Sequence, residues 1–70
     1  MHIISVFFGP RVVTGDFVNM YNNGVRKFPA TSEIWGESWG ENKKSFVVVF
    51  EMCGHYHTKI IFEGQSLVMP

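Results

Sequence analysis

The sequence predicts a small α+β domain: an antiparallel sheet of four or five strands with one helix, Thr14–Asn23, on a face, in the order β-α-β-β-β-β. Three observations lead there. Two segments rich in β-branched and aromatic residues flank Gly54 and read as an antiparallel hairpin from about Ser45 to Glu63. An apolar run from His2 to Phe8 is stopped by Gly9-Pro10. Between them, Phe17, Met20, Tyr21 and Gly24 or Val25 recur at helical spacing. An all-β small barrel is the alternative, because Asn23-Gly24 is also a strong signal for a type I′ hairpin turn.

The elements follow in order. His2–Phe8 is broken only by Ser5, and both of its faces are apolar, which suits a central strand covered on both sides. In the helical reading of the next segment Thr14 is the N-cap, Asp16 favours the positive end of the helix dipole and Gly24 is the stop. That reading is preferred because Phe17-Val18 are adjacent and Asn19 interrupts any alternation. Phe28-Pro29 ends the segment, since a residue before proline avoids the helical region. Thr31–Trp35 reads as a strand running into glycine-punctuated sequence, and residues 41–44 as a polar turn. Ser45–Met52 and Tyr56–Glu63 are then joined through Cys53-Gly54-His55. Pairing Met52 with Tyr56 sets Phe50 opposite Thr58, Val48 opposite Ile60 and Phe46 opposite Phe62, and puts Glu51 beside His57 on the reverse face. Slipped registers would oppose Lys59 to a buried Val or Phe. Ser66–Met69 is a short last strand at an edge, with Pro70 beyond it.

Composition limits the functional classes. Seventy residues hold one core, spanning 1–70, because a chain this short buries only about 60% of its unfolded surface. Seven Phe, two Trp and two Tyr are enough to fill that core without staples. Six basic residues balance six acidic ones, so no long-range attraction to nucleic acid or an anionic membrane is expected. The longest apolar run, Phe46–Phe50, is far below the ~20 residues that span a bilayer. One cysteine, Cys53, and the lack of a signal-peptide pattern point to a cytoplasmic setting.

Few residues suggest chemistry. Glu51, Cys53, His55 and His57 alternate as strand neighbours would, and Cys-x-His-x-His offers ligand types that zinc accepts. They sit at a hairpin tip, however, and a second separated ligand pair is missing, so an ordinary turn is the preferred reading. Cys53 with a nearby His also resembles part of a nucleophile–base pair, but a chain this small has little surface for a substrate pocket. No catalytic, cofactor-binding or metal-ligating set is therefore assigned, and no cofactor is expected.

The segment Trp35–Glu41 is more informative. Either Trp35 and Trp39 fold back onto the core as lids, or at least one is an exposed anchor, rimmed by Glu33, Glu37 and Glu41, for a basic protein partner. The expected function is a non-enzymatic protein-binding module, an inhibitor or accessory factor of the phage or mobile-element size class, using Trp35, Glu37, Trp39 and Glu41. A single-stranded nucleic-acid binder is the alternative, stacking bases on Tyr21, Phe28 and Tyr56 beside Arg26-Lys27 and Lys43-Lys44. Homodimerisation through an edge at Ser66–Met69 or Thr31–Trp35 is a further expectation.

Overall fold

Strand β1 (His2–Phe8) lies between β2 (Arg11–Val12) and β4 (Ser45–Met52), and β5 (His55–Phe62) completes an antiparallel sheet of order β2-β1-β4-β5 in the computed structural model, which describes residues 1–36 and 44–70. A second sheet of two antiparallel strands pairs β3 (Lys27–Pro29) with β6 (Ser66–Val68). Helix α1 spans Thr14–Asn22 and a single helical turn, α2, spans Ser32–Trp35. The antiparallel sheet of an α+β chain is present, but the last strand leaves it to form a separate ribbon with β3.

The Thr14–Gly24 segment is helical, and Gly24, at φ +97, stops it. Such a φ is open to glycine at little cost, and the Val25 N–H closes the helix end by donating to the Met20 carbonyl (3.0 Å). Thr14 is not the N-cap; Val13 takes that position. The Thr14 hydroxyl instead accepts the N–H of Val6 (2.9 Å), a residue with no exposed surface. The Val6 carbonyl accepts the Val13 N–H (2.9 Å). These bonds occupy the edge of β1 just where β2 has ended, so the hydroxyl does more as a tether than as a cap.

Thr31–Trp35 is not a strand. The Thr31 carbonyl accepts the N–H groups of Ile34 (3.2 Å) and Trp35 (3.1 Å), and the turn carries Trp35 into the core. The indole N–H donates to the Pro29 carbonyl (2.7 Å), and the ring packs 5.0 Å from Phe46. An extended segment would have sent Ile34 and Trp35 to opposite sides; the turn leaves Ile34 partly exposed and buries the larger ring.

The hairpin register differs by one residue from the expected one. Met52 pairs with His55, Phe50 with His57, Val48 with Lys59 and Phe46 with Ile61. The cause is the turn. Cys53 (φ +55) and Gly54 (φ +80) both lie in the left-handed region required by a two-residue type I′ loop, which fixes Met52·His55 as the closing pair. Turn geometry therefore overrode the pattern of the faces, and Lys59 does lie opposite buried Val48. Ile60 and Phe62 face outward, 59% and 54% exposed, rather than sharing a dry side with Phe46 and Val48.

The core gathers the inward residues of the sheet, Val6, Phe8, Phe46, Val48 and Phe50, with Phe17 from α1, Phe28 from β3, Trp35 from α2 and Leu67 from β6. Phe17 is its centre: its ring stacks on Phe28 at 4.0 Å and lies 6.1 Å from both Trp35 and Phe46. Each such ring contributes about 1.5–3 kcal/mol by burial, and each aromatic pair ~0.5–1.5 kcal/mol more. Met20, Tyr21 and Val25 pack against this cluster, as the helical spacing predicts.

Candidate functional site

With the register known, the outward residues of the four-stranded sheet can be read strand by strand. Val12 pairs with Phe7, Phe7 with Val47 and Val47 with Ile60, so one uninterrupted apolar row crosses all the strands. Val12 is 69% and Phe7 37% exposed. On one side of this row Phe62 stands opposite Ser45; on the other lie Ser5, Val49 and Thr58. Tyr56, 72% exposed, stands opposite Glu51, which also pairs with His2. A β-bulge between Ile3 and Ser5 adds the partly exposed Ile4 beside β1. The basic residues of these strands, Arg11 and Lys59, pair with the inward Phe8 and Val48. Among the described residues, the outward set of these strands thus holds neither lysine nor arginine, and β1 is not covered on both sides as its pattern suggests.

The same sheet has one long edge. Because Met52 and His55 close a two-residue loop as a hydrogen-bonded pair, alternate residues of β5 turn their amides toward β4 and the others away. Tyr56, Thr58, Ile60 and Phe62 point away. Phe62 is already satisfied: its N–H donates to Gln65 Oε1 (2.9 Å) and its carbonyl accepts the Gln65 N–H (3.0 Å). The backbone groups of Tyr56, Thr58 and Ile60 meet no described partner. Beside them a groove of about 350 Å³ is lined by Lys59, Ile60, Ile61, Ser66, Leu67 and Val68.

The residues singled out in the sequence are distributed otherwise. Trp35 is only 2% exposed and belongs to the core, so it is a lid and not an anchor. Glu37, Trp39 and Glu41 lie outside the described residues. Glu51 and His57 are on opposite sides of the hairpin, because the one-residue shift sends Glu51 outward with Tyr56 and His57 inward with Phe50, on whose ring it stacks at 5.3 Å. Cys53 is exposed at the turn. Among the described residues, no group of three or more His, Cys, Asp or Glu is placed to hold a metal ion.

The base-stacking set also separates. Phe28 is fully buried, and the Arg26 guanidinium lies over the Tyr21 ring at 3.8 Å while Nη1 donates to the carbonyls of Tyr21 and Val25 (2.9 Å each). The Lys44 ammonium pairs with Glu63 Oε1 at 3.4 Å. Of the two edges expected for dimerisation, the one at Thr31–Trp35 is not formed, because Ser32–Trp35 is a helical turn, whereas Ser66–Val68 is paired on one side with β3 and is an edge strand of that two-stranded sheet.

No family model, curated protein or solved structure matches the chain. The site therefore rests on its own geometry. Among the described residues no helix is long and apolar enough to cross a membrane.

Sequence reasoning missed the outer row because it placed Ile60 and Phe62 inside. The signal that would have found it was the Cys53-Gly54 loop: reading it as two residues instead of three gives the observed register and turns Tyr56, Ile60 and Phe62 outward.

Proposed function

We propose that the domain is a non-enzymatic protein-binding module, an inhibitor or accessory factor that engages a larger protein through the outer face of its four-stranded sheet. In this reading α1 closes the inward face, the outer one is left for the partner, and the setting is cytoplasmic. Trp39, flanked by Glu37 and Glu41, is carried as an additional anchor.

The supporting observation is the row Val12–Phe7–Val47–Ile60 together with exposed Phe62 and Tyr56. An apolar row across four strands with two further exposed aromatic rings, and no lysine or arginine among the described outward residues, fits the desolvated centre of a protein interface, where a few large side chains supply ~2 kcal/mol or more each. A phosphate backbone would need cations here, and those of the neighbouring strands pair with inward residues.

The test is affinity capture from the native host with the wild-type chain and a Val12→Thr/Phe62→Thr variant. Both positions are more than half exposed, so the variant is expected to fold. Partners retained by the wild type and lost with the variant, with retention insensitive to salt, support the reading. Equal recovery by both chains overturns it. Tight binding of a single-stranded oligonucleotide that weakens steeply with salt would establish the nucleic-acid alternative instead.

A further inference from the structure

The two ends of the four-stranded sheet are unequal. β2 contributes only two residues, while β5 is an edge strand of eight. Long edges are commonly protected by proline, bulges or charged side chains, inward-pointing ones included, and of these β5 has a single lysine and neither proline nor bulge. Its one lysine, Lys59, pairs with inward Val48. Tyr56, Thr58 and Ile60 each present an N–H and a carbonyl that no described residue uses.

We propose that this edge pairs antiparallel with β5 of a second copy of the chain, about a two-fold axis through Thr58. The proposal rests on the reading of the sheet as a protein-binding surface and names the partner at its edge. The spacing of the unused groups selects the register. An axis through Thr58 opposes Thr58 to its own copy and each Tyr56 to the Ile60 of the second copy, so all three outward residues gain a paired donor and acceptor. An axis through Lys59 would oppose the two ammonium groups and bring Tyr56 against Phe62, whose backbone Gln65 already occupies. An axis through His57 would set Ile60 against Gly54, inside the turn.

Side chains agree with the Thr58 axis on the outer face. Tyr56 beside Ile60 is a cross-strand pair of an aromatic and a β-branched residue, a favourable combination. It continues the row Val12–Phe7–Val47–Ile60 onto the second copy. Ile61 comes opposite His55 of the second copy, and that copy's Gly54 comes opposite Phe62, whose backbone is bonded to Gln65, so the ladder between the copies ends there. On the inward side His57 meets Lys59, the least favourable pair of the register. The product is one eight-stranded sheet whose ends are the two-residue β2 strands.

The two-fold axis makes a specific test possible, because whatever stands at position 58 faces itself at ~5.5 Å between Cα atoms. The wild-type chain is expected to sediment at twice its 8.0 kDa mass at micromolar concentration. Thr58→Lys and Thr58→Glu, each alone, oppose like charges and are expected to weaken association by about tenfold or more. An equimolar mixture of the two is expected to regain the doubled mass. Hydrogen exchange on the wild type checks the same claim without substitution: the amides of Tyr56, Thr58 and Ile60 should lose protection on dilution. A wild-type chain that stays at 8.0 kDa throughout overturns the pairing, as does protection of those amides only when a foreign extended peptide is added. Dimers that persist in both variants alone overturn the register. None of these results decides the Val12/Phe62 capture, so the outer-face reading is tested separately.

Discussion

Replacing Trp35 discriminates most sharply between the residue as structure and the residue as binding anchor. The ring is 2% exposed, packs 5.0 Å from Phe46 and 6.1 Å from Phe17, and donates its N–H to the Pro29 carbonyl at 2.7 Å. Trp35→Ala removes the ring and leaves a cavity, a change that costs about 3–5 kcal/mol. A 70-residue domain has a total stability of roughly 4–10 kcal/mol, so this variant is expected to be largely unfolded or to melt far below the wild type. Trp35→Phe keeps most of the ring contact and loses the indole donor, worth about 1 kcal/mol, with about another 1 kcal/mol from the smaller ring. At about 4–8 °C per kcal/mol for a domain of this size, its melting temperature should fall by ~8–16 °C. Thermal melts followed by far-UV circular dichroism, with urea titration as a second measure, read both variants. If Trp35→Ala melts within a few degrees of the wild type and loses a binding partner, the ring is an exposed anchor and the packing described above is wrong.

Two further substitutions test the turn and the tether. Cys53→Asn places at φ +55 a residue that tolerates the left-handed region, completing an Asn-Gly loop; it should stabilise the fold by roughly 1 kcal/mol and raise the melting temperature by ~4–8 °C, and a fall would contradict the two-residue turn. Thr14→Val removes the acceptor of the Val6 N–H while keeping the shape, and leaving that group unpaired in the interior should cost about 1–3 kcal/mol in urea unfolding; a change below ~0.5 kcal/mol would mean that the hydroxyl is dispensable as a tether.

Where local rules act without competition, the fold was legible. His2–Phe8 and Ser45–Met52 have the expected bounds, because apolar runs of that length bounded by Gly-Pro or by a turn have few other outcomes. The helix ends one residue short of Asn23, since Gly24 stops it in the way its position suggests. What failed depended on tertiary context. Nothing local announces that two residues, Arg11–Val12, will fold back on β1, or that Lys27–Pro29 will find Ser66–Val68 across most of the chain. Ile34-Trp35 looks extended until the burial of the indole against Phe17, Phe28 and Phe46 outweighs β-propensity. Of the predicted site, Trp35 was misleading because large aromatics signal burial and binding alike, and only the packing separates the two.

The register of β5 exposes a conflict within the sequence that bears on function. An edge strand arranged for monomer stability would put its apolar residues inward, yet β5 sends His57 and Lys59 inward, with Ile61, and Tyr56, Ile60 and Phe62 outward. Local rules that contradict one another in this way are expected at functional surfaces, where stability is given up for binding. If that is the reason here, exchanging the two neighbours should relieve the conflict. In Lys59→Ile/Ile60→Lys, an isoleucine at position 59 lies opposite fully buried Val48 and lines the same groove as Leu67, and about 1–2 kcal/mol of added burial should raise the melting temperature by ~4–16 °C. No ion pair of Lys59 is given up among the described residues. The lysine at position 60 interrupts the apolar row and charges the edge, so self-association and partner capture should both fall. A swapped chain that melts lower than the wild type, or associates as well as it does, would show that the outward isoleucine is an accident of the Cys53-Gly54 turn and that the outer row has no claim to be a binding surface.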